Sequence, residues 1–278
     1  MGGIVWLASY PKSGNTWLRH FLHNLLRPAE APHDINDMHD LTAYEIAARW
    51  YRPPLEGPLD RCDLADIARA RPGAQAALAA AAEGLVFVKT HNALVADRGV
   101  ATINAAVTAG AIYVVRNPLD VAPSFAHHLG ASIDDAIAAM NRRGLATPSG
   151  ADFAHEVYGS WSENVASWTA KPHRAKHVMR YEDMLARPRE TFRALAAFLL
   201  LSPDDAALDA AIEKSSFARL QEQEARAGFA EKSPAAASFF RAGKAGAWRE
   251  ALDPGQVAAI VAAHRDQMAR FGYLPEGA

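Results

Sequence analysis

Cysteine is almost absent: Cys62 stands alone in 278 residues, so no intrachain disulfide can form and thiolates are too few for a structural zinc cluster. A reducing, cytoplasmic setting is expected. An excess of one charge is missing too. With 29 Lys and Arg against 31 Asp and Glu, the formal net charge is -2, which suggests neither nucleic acid nor an anionic membrane as a partner. Long hydrophobic runs are lacking. The first apolar stretch has no basic segment before it and is too short for a signal core or a membrane span. Gly2 invites a myristoylation reading, but Trp6 stands where that motif needs Ser or Thr. Repeats and dividing linkers are absent as well, and half of the residues are hydrophobic. One domain over residues 1–278 is expected, large enough to bury a core.

What is present is an alternation of short apolar runs with longer stretches of helical period, the pattern of βα units around a largely parallel sheet. Strands are predicted at residues 4–8, 85–88 and 111–115, with a weaker one at 177–180. Each is followed directly by residues able to do chemistry, and open α/β sheets gather ligands at the carboxyl ends of their strands. Trp17, Phe21, Leu22 and Leu25 share a helical spacing over 16–26. Further helices are predicted over 64–82, 157–170, 188–201 and 253–271, the last opening at Asp253-Pro254. Residues 28–62 have no clean period and read as an irregular excursion with short helices. The Gly-, Ala-, Ser- and Lys-rich stretch at about 225–248 reads as a mobile loop.

Between the first strand and the first helix stands YPKSGNTW, residues 10–17. A strand-to-helix junction aims unsatisfied N–H groups and the positive end of the helix dipole at one spot, which stabilises an anion. Lys12 adds a mobile charge, Gly14 permits close backbone approach, and the Ser13 and Thr16 hydroxyls can donate to phosphate oxygens. The turn is not a Walker A loop, because its lysine precedes its only glycine. A loop with a merely solvated lysine would carry the same residue types.

YPKSGNTW resembles the phosphosulfate-binding loop of the cytosolic-type sulfotransferases that use 3′-phosphoadenosine 5′-phosphosulfate (PAPS), usually written YPKSGTTW. Three more segments resemble the same family in the same order. They are VFVKTH, VRNPLDVAPSF and FFRAGKAGAW, the last similar to the late F-x-R-K-G-x-x-G-x-W loop. The resemblance runs from near residue 4 to near residue 248. It implies a single-domain α/β fold of the P-loop-kinase-like type, a central mostly parallel sheet flanked by helices. It also implies PAPS as donor, PAP as product, a small-molecule or natural-product acceptor and no metal.

By that resemblance His91 is the general base for the acceptor hydroxyl, a task suited to a side chain titrating near neutrality. Lys12 meets the bridging oxygen and offsets charge on the departing phosphate, and Lys89 stabilises the transferring group. Ser13, Gly14, Asn15 and Thr16 hold the phosphosulfate end. Arg116 and Ser124 hold the 3′-phosphate, and Ser124 is also expected to contact Lys12 before the acceptor binds. Trp17, Tyr181 and Phe217 match aromatics near the adenine, with Ser215, Arg241, Ala242 and Gly243 completing the donor site. For aromatics at helical spacing, core packing is the ordinary alternative.

Two positions depart from the family pattern. Asn15 replaces a threonine, and Ala242 replaces a lysine, removing one expected phosphate contact. The acceptor pocket has no motif. Tyr44, Trp50, Phe125, His127 and Phe239 are its candidates and lean toward an aromatic or bulky hydroxylated acceptor. The segment by which many animal members dimerise is absent from the sequence, so oligomeric state stays open. Two other classes remain in view: a P-loop-like kinase of a small metabolite, and a nucleotide-binding protein without turnover.

Overall fold

The computed structural model describes residues 2–277. Among them the strands are β1 (Gly3–Ser9), β2 (Thr42–Tyr44), β3 (Leu85–Thr90), β4 (Ala96–Asp97), β5 (Val100–Ala101), β6 (Thr108–Val115) and β7 (Lys176–Arg180). The helices are α1 (Asn15–Leu26), α2 (Leu64–Ala80), α3 (Pro118–Leu129), α4 (Ile133–Asn141), α5 (Trp161–Thr169), α6 (Tyr181–Ala186), α7 (Pro188–Phe198), α8 (Asp205–Lys214), α9 (Phe217–Ala227), α10 (Trp248–Ala251) and α11 (Pro254–Phe271). This is the expected α/β alternation.

Five strands form one sheet in the order β2-β3-β1-β6-β7, and β4 and β5 form a separate antiparallel ribbon. β3 runs parallel to both neighbours, with Trp6 and Ala43 each in register with Val88. The order turns at β1: the chain fills one side of it with β2 and β3, then the other with β6 and β7. The loop leaving β1 therefore starts at the switch point where such sheets collect ligands. Every residue of β1 from Ile4 to Ser9 is buried, as befits a central strand covered on both faces.

The chain resolves into two compact units. The first comprises the stretch up to Tyr10, Thr42–Tyr113 and Met140–Val178. Its core holds Ile4, Trp6, Leu7, Val88, Ile112, Tyr113 and Trp168. Trp6 Nε1 donates to Thr108 Oγ1 at 2.9 Å, and the Tyr113 hydroxyl donates to Asn164 Oδ1 at 2.8 Å, so both large side chains are buried with their polar ends satisfied. The second comprises Pro11–Leu41, Val114–Ala139 and the stretch from Met179 onward. Its core gathers Leu18, Phe21, Phe192, Leu195, Leu208, Leu220 and Met268, with Phe21 and Phe192 stacked at 3.9 Å.

Several boundaries differ from expectation. The helix predicted from 157 begins at Trp161. Val157 is bridged to Ala146 and gives its N–H to Asn92, and a Ser160–Glu163 capping box starts the helix only afterwards. α2 ends at Ala80 and α7 at Phe198, short of the predicted 82 and 201. The irregular excursion holds 3-10 turns at Ile35–Asp40, Ala48–Tyr51 and Leu59–Arg61, plus β2, a strand too short to show a period. Residues 225–227 of the expected loop belong to α9, and helix or strand is absent from 228–247.

Candidate functional site

In the second unit, the turn after β1 is built on two left-handed residues, Lys12 (φ 63) and Gly14 (φ 104). Lys12 can hold this conformation only at a cost of about 1–3 kcal/mol, and the Arg116 guanidinium fixes it by donating to the Lys12 carbonyl at 2.9 Å. Gly14 is the N-cap of α1, whose start has no side-chain cap among the described residues. A β-carbon on Gly14 would meet Tyr181 Cδ2 at 2.7 Å, so only glycine fits between the turn and that ring. Ser13 is 1% exposed, and its hydroxyl has no hydrogen-bond partner among the described residues. A buried unspent hydroxyl beside an uncapped helix start is the donor set that an anion needs.

Arg116 joins the three chain segments of this unit. Besides Lys12 it donates to the Lys244 carbonyl at 3.3 Å, and its guanidinium lies 4.3 Å over the Tyr181 ring. Its buried Nε has no partner among the described residues. Burial raises the Tyr181 hydroxyl pKa, and the Arg116 charge opposes that rise. Behind the ring, Trp17 is edge-on to Tyr181 at 5.7 Å and to Phe192 at 5.9 Å, a packed position in an aromatic row. Asn117 leads the chain from Arg116 into α3, its N–H bound to Glu182 and its side chain capping Leu119 N–H. Glu182 in turn accepts from the Tyr273 hydroxyl at 2.7 Å.

Residues 228–247 are fastened at many points. The Asp120 carboxylate accepts the N–H groups of Gly246 and Trp248 at 2.7 and 3.0 Å. Glu224 accepts those of Phe239 and Phe240, His127 Nε2 meets the Ser238 carbonyl at 2.7 Å, and the fully buried Arg19 pairs with Glu231 at 2.8 Å. The result sets the Phe239 ring against Lys12, whose ammonium lies 3.7 Å from the ring centre. Gly243 (φ 58) presses its backbone on Phe217, where a β-carbon would come within 2.3 Å of the ring. Arg241 is exposed, and Ala242 is half-buried. Ser215 is fully buried and spends its hydroxyl on the Ala211 carbonyl at 2.7 Å. Ser124 is half-buried on the second turn of α3, while Phe125 is 3% exposed and packs in the interior. Asn15 and Thr16 open α1 and are both buried.

In the first unit, β3 ends in Lys89 and Thr90, and His91 follows directly. His91 Nδ1 is 2.8 Å from the Ser9 carbonyl. A carbonyl only accepts, so Nδ1 carries the proton in the neutral ring and Nε2 keeps the lone pair. The main chain of His91 is held on both sides, its N–H donating to Glu156 Oε1 at 2.8 Å and its carbonyl accepting from Asn164 Nδ2 at 3.0 Å. Tyr158 stands edge-on to the imidazole at 5.9 Å and to Tyr10 at 6.3 Å. The Lys89 ammonium lies 5.3 Å over the Tyr44 ring, and Trp50 Nε1 donates to the Tyr44 carbonyl at 3.1 Å. Beneath them, Glu45 is 1% exposed and collects Thr90, Asn92 and Gln75.

Of the sequence candidates, Lys12, Gly14, Arg116, Tyr181, Phe217, Phe239 and Gly243 gather in one unit, and Tyr44, Trp50, Lys89 and His91 in the other. Sequence reasoning missed Asp120, Glu156, Tyr158, Asn164, Glu182 and Tyr273. Only Asp120 carried a local signal, an acid in the first turn after Asn117-Pro118. The others act across long sequence separations. Groups of three or more His, Cys, Asp or Glu able to hold a metal are absent among the described residues. No helix of the described residues is long and apolar enough to cross a membrane.

An α/β sheet whose order turns at β1, with helices following its strands, places the chain in the P-loop-kinase-like fold class. The family is settled by comparison: the sulfotransferase domain matches residues 4–272, and the chain belongs to that family. Sulfotransferase 1B1 of Mus musculus is 25% identical over 224 residues, 79% of this chain and 66% of the relative. The chain thus spans just under two thirds of the length of that curated relative. Two solved structures share the fold. Mouse sulfotransferase SULT7A1 complexed with PAP has a TM-score of 0.61 at 19% identity, covering 96% of this chain and 84% of its own. Retinol dehydratase in complex with androsterone and PAP has a TM-score of 0.65 at 23% identity, covering 95% and 80%.

Proposed function

We propose that the protein moves the sulfuryl group of PAPS to a phenolic or alcoholic hydroxyl of a small-molecule or natural-product acceptor, with His91 as general base. The observation that carries this reading is the turn at Lys12–Gly14, left-handed, uncapped, and backed by Arg116 and the unspent Ser13 hydroxyl. These groups fit the phosphate-rich end of such a donor, and membership in the sulfotransferase family supports the same chemistry. Relatives of the same fold bind PAP, and one binds androsterone, which favours PAPS and a small acceptor here.

PAPS supplies a sulfuryl group on a phosphate leaving group. Lys12 neutralises charge growing on that phosphate, and Lys89 stabilises the oxygens of the group in flight. Ser13, Gly14, Asn15 and Thr16 bind the phosphosulfate end. Arg116 and Ser124 bind the 3′-phosphate, Arg116 through its planar fork. Tyr181 and Phe217 flank the adenine, with Trp17 supporting Tyr181 from behind. The carbonyl of Ser9 keeps His91 in the tautomer whose Nε2 accepts the acceptor's proton. The sole cysteine favours a cytoplasmic location.

PAP is expected to raise the melting temperature without added metal, while ATP with Mg²⁺ leaves it unchanged. A kinase would give the opposite pair of results. Labelled PAPS offered against phenolic, glycan and steroid-like alcohols, with PAP release as readout, then identifies the acceptor class. Transfer at the wild-type rate by His91→Ala would remove His91 from its role.

A further inference from the structure

We infer that Glu156 is a positioning residue for the base: its carboxylate anchors the main chain of His91 and so fixes where the imidazole presents Nε2. The inference rests on the reading of His91 as the base. Glu156 Oε1 accepts the His91 N–H at 2.8 Å, one residue beyond the end of β3. There the sheet's hydrogen bonding no longer holds the chain. With Asn164 on the carbonyl and Ser9 on Nδ1, the residue is fixed at three points, two on the backbone and one on the ring.

Glu156 is itself rigidly held. Its N–H donates to Thr147 Oγ1 at 2.9 Å, and its carbonyl accepts from Thr147 N–H at 2.9 Å. The residue before it, His155, is locked by Arg71, which donates to its carbonyl at 2.8 Å, and by Asp97, 2.5 Å from its Nε2. The residue after it, Val157, gives its N–H to Asn92 Oδ1 at 2.6 Å. Any movement of His91 must therefore strain a buried polar network rather than a loose loop.

Glu156 is 7% exposed, and a buried carboxylate is tolerated only where its oxygens are hydrogen-bonded or faced by positive charge. Burial raises its pKa, the Lys89 charge opposes that rise, and its second oxygen lies 3.4 Å from the Tyr158 hydroxyl. The acid therefore sits beside Tyr158 and among Lys89 and His91, the two groups to which the proposed function gives the transfer. Buried acids concentrate at such sites.

The test compares Glu156→Ala, Glu156→Gln and His91→Ala in the full chain, using labelled PAPS with an acceptor that responds, together with the melting shift produced by PAP. Glu156→Ala is expected to lower kcat by about 100-fold, the scale of a small misplacement of a reacting group, while the KM for PAPS and the PAP shift stay at wild-type values. Glu156→Gln keeps an oxygen for the His91 N–H and is expected to recover kcat to within about fivefold of wild type. If Glu156→Ala does not fold, Glu156→Met replaces it, filling the space without an acceptor. Wild-type kcat in the Ala or Met variant, or an equal loss in the Gln variant, overturns the anchor while an inactive His91→Ala leaves the base in place. A fully active His91→Ala overturns the base and the anchor together.

Discussion

The Lys12 ammonium and the Phe239 ring lie 3.7 Å apart, a cation–π contact between the turn after β1 and the late loop. An anion in the cradle must draw on the same ammonium. Phe239→Leu keeps an apolar cover and removes the π-face, which is worth about 0.5–1 kcal/mol or more. PAP is therefore expected to bind Phe239→Leu about 2- to 5-fold more tightly by calorimetry. Weaker binding would show that the ring serves the donor rather than competing for Lys12.

Gly14 tolerates little change. Gly14→Ala combines a left-handed backbone with a β-carbon 2.7 Å from Tyr181. The expected outcome is a loss of about 1–3 kcal/mol in denaturant unfolding and loss of the PAP melting shift. Adding Tyr181→Leu relieves the clash, and partial recovery of stability in the double variant checks that cause.

Asp120 ties the late loop to α3 through the N–H groups of Gly246 and Trp248. Asp120→Ala leaves both donors without their acceptor and is expected to weaken PAP binding about 10-fold, since the loop carrying Gly243 and Lys244 must then be ordered on binding. Limited proteolysis should cut the variant within residues 241–247 faster than wild type, and PAP should protect both.

Buried histidines, His20 and His264 among them, set a pH dependence of stability. Burial holds the pKa of His20 and of His264 at about 4, below the ordinary histidine value of 6.5. The unfolded chain therefore binds more protons between those values, so the stabilisation is present above pH 6.5 and is lost as pH falls toward 4. From pH 7 to pH 5 each group removes about 2 kcal/mol. Urea midpoints at the two pH values should differ less in His264→Gln than in wild type; an unchanged difference would show that His264 is not buried as the neutral form.

The sequence by itself determined the parts of this protein that are local. An apolar strand followed by a Lys-Ser-Gly turn and a helix of regular spacing places a helix start with unsatisfied N–H groups directly after a strand. Arg116 was singled out by the resemblance of its segment, and four ordered motifs were enough to recognise the family. Trp17 shows the limit: its spacing allowed either packing or stacking, and its edge-on neighbours Tyr181 and Phe192 come from elsewhere in the chain.

Tertiary structure alone decided the partners. Gly14 must be glycine because Tyr181, far along the chain, closes on it. His91 acquires its tautomer from Ser9 and its anchors from Glu156 and Asn164, separations of 65 to 82 residues. Hydrogen bonds depend on position in space, and no pattern of residue types along the chain encodes which buried acid will meet which N–H. The helix predicted from 157 failed for the same reason, since a bridge to Ala146 and a bond to Asn92 held Val157 extended against its local preference.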